Sequence, residues 1–189
     1  MSLLAGRAVA ALWALFALAW LVAAPAAKRT LWRETIRSGL THRLPLFATF
    51  VLLWLRRSLP ALLRLRLLPH ATALDALAVA LTAAGVLFAL WARFHLGRNW
   101  SAAVTVKENH ALVTSGPYRF VRHPIYTGML LAILGTAIAT AELRGLLALL
   151  LAFAAFLHKS RLEEARMRAT FPEYARYAEG TKGIIPYTL

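Results

Sequence analysis

The chain has 189 residues, of which 60% are hydrophobic, and a formal net charge of +14 at pH 7. Its mean hydropathy of +0.60 is far from that of a soluble domain. Because the sequence has no cysteine, disulfides, thiolate nucleophiles and cysteine-ligated metals are excluded. The arginines lie mostly between apolar runs, so we expect the positive charges to interact with the head groups of a lipid bilayer and not with nucleic acid. At this length, residues 1–189 form one predicted domain.

The first apolar run covers residues 8–27, uncharged between Arg7 and Lys28. It has about the 20 residues that a membrane-spanning helix needs. A cleaved signal peptide is the alternative interpretation, since the small residues at 23–27 are typical of a cleavage region. The uncharged run is long for a signal-peptide core and more apolar segments follow it, so the sequence favours a retained first span.

Two further spans complete the N-terminal part of the domain, residues 1–94. One is predicted over 44–63, although two arginines interrupt it, and the other over 76–92. The segment 28–43 carries five basic residues and one acidic residue. By the positive-inside rule this loop is predicted to be cytoplasmic and the N-terminus to lie outside.

The C-terminal part, residues 95–189, contains two shorter uncharged runs at 124–141 and 145–157. At 1.5 Å per residue they reach about 20–27 Å each, which is marginal for a full crossing, so we predict a tight antiparallel hairpin. The hairpin returns the chain to the cytoplasm and brings the loop before it against the polar tail. The expected fold is all-α: an integral membrane helical bundle of about five transmembrane helices with a C-terminal helical hairpin and a cytoplasmic cofactor pocket.

Residues 115–128 read Ser-Gly-Pro-Tyr-Arg-Phe-Val-Arg-His-Pro-Ile-Tyr-Thr-Gly and lie directly before the apolar hairpin. Proline restricts the residue before it, and glycine permits backbone geometry that other residues resist. We therefore expect a rigid, irregular, polar loop at the membrane surface. Polar groups that converge at the mouth of a helix bundle are the default hypothesis for a small-molecule site.

Three side chains of this loop are the first candidates for chemistry. Arg119 and Arg122 can hold a carboxylate or phosphate by paired hydrogen bonds, although membrane topology alone also explains basic residues here. His123 can exchange a proton or hydrogen-bond a cofactor. The sequence shows no further histidine, cysteine or carboxylate at ligand spacing around it, so no metal site is predicted.

Other candidates flank the loop along the chain. Glu163 and Glu164 follow the last apolar run, where they can pair with arginines one turn later or bind an amine, a ribose hydroxyl or a sulfonium. Asn99 and Trp100 are placed at the same mouth as substrate-binding candidates. The tail tyrosines, Tyr174 and Tyr177, are either interfacial anchors or part of the site.

These pieces together resemble a known family. The ordered set is Leu112–Gly128, the Glu163-Glu164 pair, Phe171-Pro-Glu-Tyr-Ala-Arg-Tyr177 and Ile185-Pro186. It is similar to the isoprenylcysteine carboxyl methyltransferases, and the related phospholipid methyltransferases share the Arg-His-Pro, the apolar hairpin and the paired glutamates. The resemblance covers about residues 95–189, and the N-terminal half matches only in being membrane-spanning.

The resemblance implies S-adenosyl-L-methionine as methyl donor and a membrane lipid or lipidated small molecule as acceptor. Carried over, Arg122 and His123 would be catalytic, and Asn99, Trp100, Arg119 and Arg122 would bind the acceptor. The implied cofactor-binding residues are Tyr118, His123, Pro124, Tyr126, Gly128, Glu163, Tyr174 and Tyr177. An acceptor carboxylate is already ionised at neutral pH, whereas an amine or thiol acceptor needs a base, for which His123 or Glu163 is a candidate.

Two other interpretations stay open at this point. Membrane sterol reductases, which use a nicotinamide cofactor, also resemble the Arg-His-Pro and Ile-Pro-Tyr pattern, but the Gly-Pro-Tyr-Arg lead-in and the glutamate pair favour the methyltransferase. A non-catalytic membrane adaptor gives no reason for the polar groups to converge. The expected location is multi-pass in a bacterial inner membrane, with the site facing the cytoplasm.

Overall fold

The computed structural model describes residues 2–23, 30–100, 105–107 and 112–185. This part of the chain forms helices and two short strands: α1 (Leu3–Ala23), β1 (Thr30–Arg33), α2 (Ile36–Trp54), α3 (Thr72–Leu96), β2 (Thr105–Lys107), α4 (Pro124–Thr140), α5 (Leu143–Thr170) and α6 (Tyr174–Gly180). The predicted all-α membrane bundle is confirmed. One feature was not predicted: β1 and β2 pair as a short antiparallel ribbon.

Three helices are long and apolar enough to cross a membrane: α1, α3 together with the turn that follows it (Thr72–Asn99), and α5. Helix α4 is apolar but shorter, with 17 residues. Helix α2 has 19 residues and contains two arginines and an internal proline. Since exposed leucine and phenylalanine side chains cover the outside of these helices, the bundle presents an apolar surface suited to lipid.

The five long helices alternate in direction. Helices α1 and α3 are parallel, because Ser2 N donates to Asp75 Oδ2 (2.7 Å) at one end and Arg93 Nη2 donates to Ala23 O (2.6 Å) at the other. Helix α2 runs against α5, as the hydrogen bond between Thr41 Oγ1 and His158 Nε2 (2.9 Å) shows near the start of α2 and the end of the apolar part of α5. We call the end of the bundle where α1, α3 and α5 finish the loop face, and the other end the opposite face.

Helix α4 packs closely against α3 through small residues. A Cβ added to Gly85 would lie 2.3 Å from Ala132 N, and one added to Gly128 would lie 2.6 Å from Ala89 N. One added to Gly135 would be 2.5 Å from the hydroxyl of Thr82. The predicted close contact through small hairpin residues is therefore confirmed, and the partner is α3.

The predicted boundaries of the second span, 44–63, are wrong, because α2 begins at Ile36 and ends at Trp54. Thr35 caps its start, with the side chain accepting from Ser38 N at 3.2 Å. At its end, Arg144 Nη1 donates to the Leu52 and Leu53 carbonyls, which lack helical partners. The cap comes from a residue about 90 positions away, and hydropathy alone gives no sign of it.

A buried ion cluster at the opposite face fixes the same helix end. Glu142, 6% exposed, accepts from Arg144 Nε and from Arg56 Nε, each at 2.7 Å. The turn between α4 and α5 is thereby joined to the segment after α2.

Candidate functional site

The motif loop and the tail are joined through their backbones at the loop face. Arg122 N donates to Lys182 O (2.7 Å) and His123 N donates to Gly183 O (3.1 Å). The hydroxyl of Thr127 donates to the carbonyl of Ile184, whose side chain is 2% exposed. The predicted convergence of loop and tail is confirmed as far as residue 185, and Pro186 and Tyr187 lie outside the described residues.

The loop before this junction is held by an imidazole from α3. Gly116 has φ +60°, and a Cβ there would lie 2.6 Å from the ring of His95. His95 Nε2 hydrogen-bonds Ser115 Oγ at 2.9 Å. Tyr118 is buried beside it, and its carbonyl accepts from the hydroxyl of Tyr177 at 2.6 Å. The glycine is thus required by close approach, and the loop is anchored by His95 and Tyr177.

His123 lies between two carboxylates of α5. Its Nδ1 is 3.4 Å from Glu163 Oε2 and its Nε2 is 3.1 Å from Glu164 Oε1. Burial alone lowers the pKa of His123, but hydrogen bonds and charge from both glutamates outweigh it, so the net pKa is raised. Since both ring nitrogens face acceptors, the imidazolium is the form that satisfies both contacts.

Tyr126 connects the same carboxylate to an aromatic stack. Its hydroxyl donates to Glu163 Oε1 at 2.7 Å, and its ring stacks on His123 (5.4 Å between centroids) and on Phe156 (4.8 Å). The ammonium of Lys159 lies 5.4 Å from the Tyr126 ring centroid and 3.8 Å from Glu163 Oε1. Carboxylate, cation and flat rings therefore line one small region.

Arg122 contacts both α5 and the end of α6. Nε and Nη2 donate to the two oxygens of Glu164 at 2.9 and 3.3 Å. Nη1 donates to the carbonyls of Ala178 (3.0 Å) and Thr181 at the end of α6, which lack helical partners. The side chain clamps the tail to α5, and its predicted contact with an acceptor stays a prediction.

The tail tyrosines point inward. Tyr174 is 3% exposed and meets Tyr177 edge to face at 5.8 Å between centroids. Burial raises the pKa of Tyr177 to about 12. Their role as interfacial anchors is therefore not supported by their position, since they fix α6 against the loop.

The remaining predicted site residues lie elsewhere. Trp100 meets Trp20 edge to face at 5.5 Å and lies under the guanidinium of Arg93, 4.5 Å from its ring centroid. Asn99, one residue earlier, has a buried Oδ1. Arg119 is exposed, with its guanidinium 4.5 Å from the Phe120 ring. These three candidates are not joined to the glutamate pair by any contact described here.

Two residues at the start of α4 have packing roles. Pro124 is the first residue of the helix, where a missing N–H is tolerated, and it is buried. Gly128 faces α3, so helix packing explains why this position has no side chain. A cofactor contact for either residue stays a prediction.

Sequence reasoning missed a neighbouring group of polar residues. Glu34, 8% exposed, accepts from Arg43 (3.3 Å) and lies 3.5 Å from His42 Nε2. Lys159, 7% exposed, is 3.8 Å from Glu163 Oε1, and its charge also acts on His42. The sequence contained one indication of this group, because Glu34 is the single acidic residue of the basic segment 28–43.

Comparison with known proteins agrees with this architecture. A family model matches residues 74–174, more than half of the chain, and these include most of α3, all of α4 and α5, and the His123–glutamate group. The bundle and its polar site thus define a helical membrane protein of the methyltransferase class. The chain belongs to the family described as phospholipid methyltransferase.

Two curated relatives are similar over 93 residues, 48% of this chain. The cobalt-zinc-cadmium resistance protein CzcN of Cupriavidus metallidurans is 41% identical, and the match covers 43% of its length. The nickel-cobalt-cadmium resistance protein NccN of Alcaligenes xylosoxydans xylosoxydans is 33% identical, over 44% of its length. The matched part of the chain thus spans less than half of either relative.

Proposed function

We propose that this protein transfers a methyl group from S-adenosyl-L-methionine to a lipophilic acceptor, an isoprenylcysteine-like carboxylate or a lipid head group, within the membrane. The observation that carries the proposal is the group formed by His123, Tyr126, Glu163 and Glu164, which lies inside the range matched by the methyltransferase family model.

The residues present fit such a cofactor chemically. Its amino-acid end carries both an ammonium and a carboxylate, and the site offers carboxylates on Glu163 and Glu164 and a cation on Lys159. Tyr126 contributes its hydroxyl, which holds the Glu163 carboxylate in place, since its ring is already stacked on His123 and Phe156. Glu163 has 20% of its side chain exposed, so it is reachable from outside the protein.

When bound, S-adenosylmethionine supplies a methyl group on a positively charged sulfur. An acceptor atom would bond to the methyl carbon and displace the sulfur directly. The task of the protein is alignment and electrostatic placement. In this proposal His123, as imidazolium, fixes the Glu163 carboxylate, and Arg122 positions Glu164 and the tail. Tyr118, Tyr174 and Tyr177 close the cofactor site from the tail side.

We further propose that the loop face is cytoplasmic and that all five long helices cross the inner membrane. Among the 18 basic residues whose side chains the structure describes, six lie toward the opposite face and twelve lie toward the loop face. The six are Arg7, Arg56, Arg57, Arg64, Arg66 and Arg144. This asymmetry supports the orientation through the positive-inside rule.

The acceptor is proposed to enter sideways from the bilayer, because the site lies where apolar helices end. Asn99, Trp100 and Arg119 are kept as candidate acceptor contacts on the same face.

Binding measurements test the cofactor directly. Protein purified in detergent is titrated with S-adenosylhomocysteine and, separately, with NADPH by calorimetry. We expect binding of the first only, and NADPH binding alone would support a reductase instead. Transfer of labelled methyl groups into a bacterial total-lipid extract then tests the acceptor class. Because the relatives are named for metal resistance, growth of a deletion strain on cobalt, zinc and cadmium is a suitable cellular assay.

A further inference from the structure

His42 on α2 is a buried polar residue that the proposed function leaves without a task. It is 0% exposed, and neither ring nitrogen has a hydrogen-bond partner among the described residues. Roughly 90% or more of buried polar groups in proteins are hydrogen-bonded, so an exception requires an explanation. A ring nitrogen reserved for a ligand is one such explanation.

A buried carboxylate lies behind the ring. Glu34 Oε1 is 3.5 Å from His42 Nε2, and Glu34 is itself held by the Ser38 hydroxyl (3.1 Å) and by Arg43 (3.3 Å). This is an ion contact and not a hydrogen bond, and the negative charge on the Nε2 side favours the tautomer with the proton on Nε2 and a lone pair on Nδ1. An imidazole oriented by a carboxylate is a recurrent form of general base.

The packing of α2 against α5 brings this ring beside the candidate cofactor site. The preceding residue, Thr41, hydrogen-bonds His158, and the residue after His158 is Lys159. Lys159 and Glu163 on α5, together with Glu34 and Arg43, are the charges that act on the imidazole. His42 lies outside residues 74–174, so the family match does not cover it.

A methyl acceptor that carries a proton requires a base other than His123, because His123 is committed to the two glutamates. Both of its ring nitrogens face glutamates, and the imidazolium form that suits them has no free lone pair.

We propose that His42 accepts the proton released by the methyl acceptor, with Glu34 as the residue that positions its ring. This inference rests on the proposed function and specifies its acceptor: an amine, hydroxyl or thiol that still carries a proton, and not an ionised carboxylate.

Methyl transfer breaks the X–H bond of the acceptor, in which X is the nitrogen, oxygen or sulfur atom, and X forms a bond to the methyl carbon. The electron pair of the former carbon–sulfur bond stays on sulfur, and the proton passes to Nδ1 of His42. The imidazolium so formed is stabilised by the Glu34 carboxylate and returns its proton to water.

A spectroscopic test needs neither cofactor nor acceptor. In protein labelled with ¹⁵N-histidine, the His42 signals are assigned by their loss in His42→Gln. We expect one protonated nitrogen and one with a lone pair at neutral pH, and a changed tautomer ratio in Glu34→Gln. An imidazolium at that pH, or a ratio unaffected by Glu34→Gln, would overturn the proposal.

A kinetic test separates this role from cofactor binding. His42→Gln should bind S-adenosylhomocysteine within about threefold of the parent. It should transfer labelled methyl groups into liposomes of bacterial total lipid about 100-fold more slowly or worse, which is the usual contribution of a general base. His158→Gln is the matched control on the same helix contact and should keep the parent rate.

The pH dependence identifies the part played by Glu34. Removing its charge in Glu34→Gln makes the imidazolium less favourable, so the acidic limb of the kcat profile should move to lower pH, while Arg43, Lys159 and Glu163 are unchanged. A parental rate in His42→Gln refutes the general base. Failure of the parent protein to bind S-adenosylhomocysteine would instead refute the proposed function.

Discussion

Tyr126 on α4 donates a hydrogen bond to Glu163 on α5, with 2.7 Å between the two oxygens. This bond crosses the interface of the hairpin helices at the loop face. Because the phenol ring is also stacked on His123 and on Phe156, the hydroxyl can be removed without removing the packing.

The first prediction concerns this hydroxyl. Tyr126→Phe should weaken S-adenosylhomocysteine binding by about 10- to 100-fold, because a hydrogen bond to a charged group is worth about 1.5–3 kcal/mol. Thermal unfolding in detergent should change little, since the stacked ring is kept. Calorimetry measures the affinity, and an unchanged affinity would place the cofactor away from Glu163.

The second prediction concerns pH. The folded state raises the pKa of His123 above its usual value of 6.5, so the ion pairing stabilises fully below that value. Its contribution is lost as the pH rises through the higher folded-state pKa. As the pH rises above 6.5, the melting temperature of the parent protein should therefore fall more steeply than that of His123→Gln. Parallel curves for the two proteins would contradict the charged form of His123.

The third prediction separates helix packing from the site. Gly85→Ala should destabilise the protein by about 1–3 kcal/mol, because the new Cβ meets the backbone of α4. Gly85 has no predicted role in binding, so the folded fraction should bind S-adenosylhomocysteine normally. Gly180→Ala is the control, since a Cβ there meets nothing within 4 Å. Equal melting temperatures for the two variants would contradict the close packing of α3 on α4.

The fourth prediction concerns the tail clamp. Arg122→Lys keeps the charge but loses the paired hydrogen bonds to Glu164 and the contacts with the end of α6. Limited proteolysis should cut the tail after residue 174 faster than in the parent, and methyl transfer should fall more than cofactor affinity. Arg176→Lys, on the exposed side of α6, is the control. A tail as resistant as in the parent would show that the clamp is dispensable.

The fifth prediction concerns orientation. A reporter that works only in the cytoplasm should be active when it is fused after Leu189, and a reporter that works only in the periplasm should be active when it is fused before Met1. Activity of the periplasmic reporter after Leu189 would reverse the proposed topology.

The sequence predicted the elements that depend on local composition. Runs of uncharged residues predicted the helices, and the prolines and glycines around Tyr118 predicted the irregular loop. It also brought His123 and the Glu163-Glu164 pair into one site, through the resemblance to a family.

Features that depend on distant residues were not predictable in the same way. The start and end of α2 depend on a cap at Thr35 and on Arg144, which lies far along the chain. Packing between helices also produces the ion pair of Arg122 with Glu164 and the burial of His42 beside Glu34. Such pairing cannot be deduced from hydropathy.

The ion cluster of Arg56, Glu142 and Arg144 has a mechanical consequence. It joins the end of α2 to the beginning of α5 through buried ion pairs. At the other end the two helices meet through the hydrogen bond between Thr41 and His158, and the charges of Glu34 and Lys159 act on His42. If lipid is to enter between the helices at that end, α2 must tilt about the ion cluster and the Thr41–His158 hydrogen bond must break. The 19 residues of α2 are about 28 Å long at 1.5 Å per residue, so a tilt of about 8° parts the helices by about 4 Å at the start of α2. We expect the gap for an acyl chain to open there, near His42.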